Sequence, residues 1–107
     1  LGPDVVGAAP MRTRLLANYP NPFNPETWIP FTLAADDDVV ISVYNVDGLR
    51  VRSLSLGYLP AGRYSDRSRA GHWDGRNDAG EAVASGAYVV ELRAGNTREM
   101  RRMVVRK

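Results

Sequence analysis

From Glu26 the pattern of apolar and polar positions changes to period two in a series of short stretches, and no segment keeps the period of a helix. Thr27, Ile29, Phe31 and Leu33 share one face, with Trp28, Pro30 and Thr32 opposite. Pro30 has no amide hydrogen, which places this strand at a sheet edge or at a bulge. Asp36-Asp37-Asp38 marks a turn or strand cap before the clearest strand, Val39–Val46, in which Val39, Ile41 and Val43 oppose Val40, Ser42 and Tyr44. Asp47-Gly48 between two strand patterns predicts a two-residue hairpin with positive φ at both positions. Leu49–Leu56 is the returning strand. Gly57–Gly71, with three Arg, two Ser and internal Gly and Pro, predicts a loop or a frayed edge strand. Trp73-Asp74-Gly75 opens a loop dense in turn formers that runs through Gly80. Gly86–Ala94 is a strand with Tyr88, Val90 and Leu92 on one face, Gly95-Asn96 is a second tight turn, and Thr97–Arg106 closes the chain. Six or seven short strands with regular turns predict an all-β antiparallel sandwich of about seven strands, with a small barrel as the alternative.

The lead-in to this pattern is unlike the rest. Asn18-Tyr19-Pro20-Asn21-Pro22-Phe23-Asn24-Pro25 puts three prolines in six residues, so it can form neither helix nor central strand. Each Asn side chain can bond nearby backbone and favour a turn. Tyr19 and Phe23 gain by burial and are expected to pin the stiff segment against the core. Residues 1–13, rich in Gly, Ala and Pro without a period, read as a linker or loosely held arm, and residues 14–107 as the folded domain.

With 107 residues, 44% of them hydrophobic, the chain is one globular domain with a self-sufficient core. No apolar run approaches the ~20 residues of a membrane-crossing helix. The opening has no charged-then-apolar leader, so the chain reads as a piece of a longer product. Without cysteine there are no disulfides, and the redox compartment is open. The charge is uneven. Arg93 to Lys107 carries six basic residues and one acid, +5, leaving residues 1–92 at −3 within a total of +2. Such a tail suits an anionic partner or a solvated strand face.

Candidate chemistry is sparse. His72 can be combined with Ser68 or Ser85 and an Asp on paper, but no nucleophile-elbow sequence accompanies them. Asp74, Asn77 and Asp78 form an acidic loop, yet Arg76 sits where a calcium loop needs an oxygen ligand, and turn capping is the simpler role. There is no Cys/His cluster and no phosphate cradle, and the basic tail has no aromatic after Tyr88 to stack on bases. Neither enzyme activity, nor a cofactor or metal, nor nucleic-acid binding is expected. Trp28, on the outward face, could stack on a sugar or pack beneath the linker or the 57–71 segment.

Five ordered motifs carry a resemblance: Tyr19-Pro20-Asn21-Pro22-Phe23-Asn24-Pro25 leading into Thr27-x-Ile29-x-Phe31; Val43-Tyr44-Asn45-x-x-Gly48-x-x-Val51-Arg52; Trp73-Asp74-Gly75-Arg76-Asn77-x-x-Gly80; Ala84-Ser85-Gly86-x-Tyr88; and Arg102-Met103-Val104-Val105-Arg106-Lys107. From about Ala17 to Lys107 the chain resembles the C-terminal sorting domain of type IX secretion system cargo proteins. Its Trp-Asp-Gly to Ser-Gly-x-Tyr half is also similar to the immunoglobulin-like domain of the flagellar hook-capping protein. The resemblance implies a seven-stranded immunoglobulin-like sandwich at the C-terminus of a larger secreted protein. It implies passage across the outer membrane and attachment to an anionic lipopolysaccharide or release. Its partners would be the outer-membrane secretion machinery and the parent's N-terminal domains. The family's recognition features fall on Pro20, Asn21, Pro22, Phe23, Gly48, Gly86, Tyr88, Met103, Val105 and Lys107. Independently, a chain that closes on a strand offers an edge that another chain can pair with. The competing reading is a structural or adhesive immunoglobulin-like module: a spacer, a docking unit, or a carbohydrate binder using Trp28 or Trp73.

Overall fold

A computed structural model describes residues 10 and 12–107. Apart from Pro10, Arg12 and Thr13, the expected arm lies outside the described residues. Arg12 and Thr13 are tied to the body: the Thr32 hydroxyl donates to the Arg12 carbonyl at 2.8 Å, and Thr13 Oγ1 accepts from the Ala34 amide at 3.0 Å.

Nine strands follow: β1 (Arg14–Leu15), β2 (Thr27–Ile29), β3 (Phe31–Leu33), β4 (Asp37–Tyr44), β5 (Arg50–Leu59), β6 (Gly62–Tyr64), β7 (Gly71–Trp73), β8 (Gly86–Ala94) and β9 (Thr97–Val105). All strand ladders are antiparallel. One sheet has the order β5-β4-β8-β9, and facing it are β1-β3-β6 and β2-β7. β5 and β9 stay apart at opposite edges, so the fold is a sandwich and not the barrel alternative.

The expected count of about seven strands rises to nine for two local reasons. Pro30 interrupts the predicted 26–33 strand; β2 on one side pairs with β7, while β3 on the other pairs with β1 and β6. The residue without an amide donor is the step between sheets. The 57–71 segment, expected to be loop or frayed edge, carries the end of β5, all of β6 and the start of β7. Gly57, at φ 82°, sits at a register shift in the β4–β5 ladder, where a bulge lets the strand continue to Leu59.

The two hairpins divide. Gly95-Asn96 is the tight turn expected, with positive φ confined to the leading Gly95 at 57°, as a type II′ turn requires. Asp47-Gly48 is not a two-residue turn. Only Gly48 takes positive φ, at 79°, and the loop is one residue longer, closed by Asn45 N to Leu49 O at 3.0 Å. Asn45 Oδ1 accepts from the amides of Asp47 and Leu49, both at 3.0 Å, which favours a type I turn followed by a left-handed glycine.

The core lies between the layers. Ile29, Phe31 and Leu33 enter from one side and Ile41, Val43, Val90, Leu92 and Met103 from the other, all with no exposed surface. β7 approaches β4 so closely that a Cβ on Gly71 would stand 2.6 Å from Ile41 Cδ1. Ile41→Ala is expected to lower unfolding free energy by about 2–5 kcal/mol in urea denaturation. A loss below ~1 kcal/mol would contradict its place at the centre of the core.

Candidate functional site

The proline-rich lead-in is held by its own polar side chains and by aromatic packing. Tyr19 and Trp28 exchange backbone bonds at 2.8 and 2.9 Å, which docks the segment on β2. Asn18 is buried and donates to Thr27 Oγ1 at 3.0 Å, while the Thr27 hydroxyl donates to the Pro20 carbonyl at 2.9 Å. Tyr19 stays half-buried: its ring lies against Trp28 with centroids 6.3 Å apart, and its hydroxyl donates to the Ser65 carbonyl at 2.6 Å. Asn21 departs from the expected local turn bond, since its Oδ1 accepts from the Val104 amide, 83 residues away, at 3.0 Å.

Phe23 is the point where this corner joins the rest. Its side chain is 2% exposed and meets Trp73 edge-on at 5.5 Å, and Trp73 in turn meets Tyr88 edge-on at 5.7 Å. Such tilted aromatic contacts add roughly 0.5–1.5 kcal/mol each beyond burial. Both polar tips are satisfied: Trp73 Nε1 donates to the Arg76 carbonyl at 2.8 Å and Tyr88 OH to Ala84 O at 2.7 Å. Burial pushes the Tyr88 phenol above its usual range. The Phe23 backbone bonds β9 twice, from its amide to Val104 O and from the Arg106 amide to its carbonyl, both at 3.0 Å. Gly75, at φ 76°, completes the joint, because a Cβ there would collide with the Pro25 carbonyl.

The ten sequence-selected residues therefore separate by role. Phe23, Tyr88, Met103 and Val105 are buried core, and Gly86 pairs with Val105 across the β8–β9 ladder. Pro20, Asn21, Pro22 and Lys107 are exposed around the same end of β9, where the Lys107 amide donates to Ser85 Oγ at 3.0 Å. Gly48 is exposed on the β4–β5 loop, which leaves β4 at Tyr44, opposite Val89. Trp73, outside those ten, joins Phe23 to Tyr88. Val104 and Arg106 act through backbone alone, which no side-chain pattern reveals.

The edge of β9 is not wholly open, contrary to the expectation of an unblocked closing strand. Phe23 and Asn21 occupy its outward groups from Val104 to Arg106. β1 adds side-chain ties beside it: the Leu15 amide donates to Glu99 Oε1 at 2.7 Å and Arg101 Nε to Leu15 O at 3.0 Å. Glu99 also pairs with Arg14 at 3.3 Å, so the one acid of the basic tail is already engaged.

The remaining candidates fall into structural roles. Asp74 Oδ1 accepts from the Arg76 amide at 3.0 Å and from Arg52 at 3.2 Å, Asp78 Oδ1 from the Ser53 amide at 3.1 Å, and Asn77 Oδ1 from Ala79 and Glu81. Asp74 and Asn77 cap their own turns, while Asp78 ties the loop to β5. His72 bonds Glu26 at 2.6 Å, Ser68 bonds Asp66, and Ser85 holds Lys107, so no bond links His72 to either serine. Trp28 packs against Tyr19 and under the Arg67 guanidinium, 4.3 Å from its ring, as the 57–71 packing alternative expected, and Trp73 is fully buried.

Residues 27–98 match the model of the FlgD Ig-like domain family. No curated protein is similar enough in sequence to count as a relative. Among solved structures, the chain is similar to dimeric latent PorU of Porphyromonas gingivalis, with TM-score 0.64 and 18% identity over 85% of this chain and 9% of that one. It is similar to PorZ, an essential bacterial surface component of the type-IX secretion system of P. gingivalis, with TM-score 0.57 and 20% identity over 85% of this chain and 11% of that one. It is also similar to FlgD of P. aeruginosa, with TM-score 0.52 and 23% identity over 68% of this chain and 54% of that one. The shared feature is the immunoglobulin-like sandwich.

Gly75→Ala is expected to cost about 2–4 kcal/mol, from left-handed strain plus the clash with Pro25. Gly80→Ala is the control: it has a similar φ of 85° and open space around it, and should cost only about 1–2 kcal/mol. Equal losses in thermal unfolding would mean that the Pro25 contact contributes nothing.

Proposed function

The chain belongs to the FlgD Ig-like domain family, and we propose that it is a non-catalytic C-terminal sorting module, directing a larger parent protein across the outer membrane and onto the cell surface by type IX secretion. The observation that carries this reading is where the family match stops. Residues 27–98 are matched, whereas Pro20 to Phe23 and Met103 to Lys107 lie outside the matched span. Those two unmatched pieces bond each other through Phe23, Asn21, Val104 and Arg106. A joint between the start and the end of the sandwich, made by residues that the family match does not reach, suits a tag that must be read as one folded surface. The likeness to PorZ, a type-IX secretion component, supports the same context.

The exposed Pro20, Asn21, Pro22 and Lys107 form the recognition surface in this reading, with the buried Phe23, Tyr88, Met103 and Val105 holding it in shape. The partners are the outer-membrane secretion machinery, the parent's N-terminal domains and an anionic lipopolysaccharide. The basic β9 would attract that anion less strongly as salt rises.

A second reading, a structural or docking immunoglobulin-like module, is favoured by the family match itself. One assay separates the two. Residues 1–107 fused behind a periplasmic reporter, in a host that possesses the pathway, should carry the reporter to the cell surface. Charge reversal at exposed Lys107 should reduce surface delivery without shifting the unfolding midpoint. A reporter retained in the periplasm with the domain folded leaves only the structural module.

A further inference from the structure

The outer face of the four-stranded sheet carries charge that the fold does not balance. In the β8–β9 ladder, Arg93 stands opposite Arg98, Glu91 opposite Met100 and Val89 opposite Arg102. Like charges directly opposite each other on a sheet are destabilising. Glu91, 2% exposed, answers only one of the three guanidiniums, pairing with Arg98 and lying 3.5 Å from Tyr44 OH. Arg93 and Arg102 are exposed and have no ion-pair partner among the described residues. Between Arg98 and Arg102 sits Met100, a large apolar side chain that is 52% exposed. It borders a shallow trough lined by Tyr44, Val46, Gly48, Val89 and Arg98.

Beside this face runs an open ladder edge. The outward backbone groups of β9 are fixed in phase by Val104, whose amide meets Asn21 and whose carbonyl meets Phe23. Strand geometry repeats every second residue, so the amides and carbonyls of Arg102, Met100 and Arg98 point the same way. Among the described residues no backbone group bonds them. The opposite edge of the sheet is capped at Val51 and Ser53, with the Asp78 amide on Val51 O at 2.9 Å and Asp78 Oδ1 on the Ser53 amide. An edge whose outward backbone groups from Arg98 to Arg102 are unpaired, carrying unbalanced arginines and an exposed methionine, is the combination that strand addition uses.

We propose that β9, from Arg98 to Arg102, takes up an extended segment of a partner protein as an additional strand, with alternate acidic, apolar and acidic side chains. The acids lie beside the Arg93–Arg98 pair and beside Arg102, and the apolar side chain covers Met100 at the rim of the trough. The Phe23 clasp blocks pairing beyond Val104 and so sets where the added strand stops. This deepens the recognition reading by giving the reader's chemistry and rests on it for the reader's role. The docking itself is tested on purified protein, so loss of docking and loss of export are separate results.

The experiment titrates the full chain into a short labelled peptide in which Glu alternates with Thr around a central Leu, followed by fluorescence anisotropy. A peptide of the same composition with its acids grouped at one end should bind roughly tenfold more weakly. Arg102→Glu should weaken the alternating peptide by a similar factor, and a peptide with Lys facing position 102 should regain it. Backbone amides of Met100 and Arg102 in the unmodified chain should gain hydrogen-exchange protection on peptide addition, a readout that stands even if Arg102→Glu fails to fold. Equal binding of the two peptides overturns the proposal, as does binding that leaves those amides unprotected. Protection that rises with protein concentration alone would give the edge to a second copy of this chain. Displacement of the peptide by an anionic polysaccharide that leaves the amides unprotected would give the charge to a glycan. Either result contradicts the assignment.

Discussion

The burial of Phe23 against Trp73 is the contact on which the rest of the structure depends. It brings a proline-stiffened corner, which cannot itself enter a sheet, onto the side of the sandwich and fixes its backbone against β9. Trp73 is shared: the same ring packs on Tyr88 of β8, so one buried aromatic links the lead-in, β7 and β8. Fully burying such rings contributes several kcal/mol through the hydrophobic effect alone, more than any surface ion pair in this molecule can supply. The polar bonds around the corner then act as positioning devices. Asn18, Thr27 and Asn21 leave no buried side-chain donor or acceptor without a partner among the described residues.

That joint also decides how the sheet edges are managed. β5 is capped at Val51 and Ser53 by Asp78, and the end of β9 by Phe23 and Asn21. What remains is a short central stretch of β9, lined by arginines. Natural sheets discourage unplanned pairing at their edges by placing charge there, and the same charge selects an acidic partner when pairing is wanted. The molecule therefore presents two different surfaces along one strand, a sealed, proline-bordered end and an open, basic middle.

Much of this was legible in the residues, and the failures have physical causes. Val39, Ile41, Val43 and Tyr88, Val90, Leu92 alternate over long strands, so β4 and β8 could be placed within about two residues from periodicity, and β9 from the Gly95-Asn96 turn that precedes it. β6 and β7 are three residues each, too short to show a period, and they exist because β3 and β2 offer them partners. Gly57 reads as a break in sequence but serves as a bulge within β5. Asp47-Gly48 carries the two-residue hairpin signal, and the side chain of Asn45 overrides it. The candidate site was partly readable as well: Phe23 as an anchor follows from its setting among prolines. The partner of Asn21 does not, because a bond across 83 residues leaves no local trace.

Native-state hydrogen exchange on the unmodified chain tests the clasp most directly. If Phe23 makes the lead-in and the closing strand one cooperative unit, the Val104 and Arg106 amides open with the same free energy as Val90 in the core. Exchange of Arg106 at the rate of a free chain, while Val90 stays protected, would show that the strand end is loose and that the joint does not hold it.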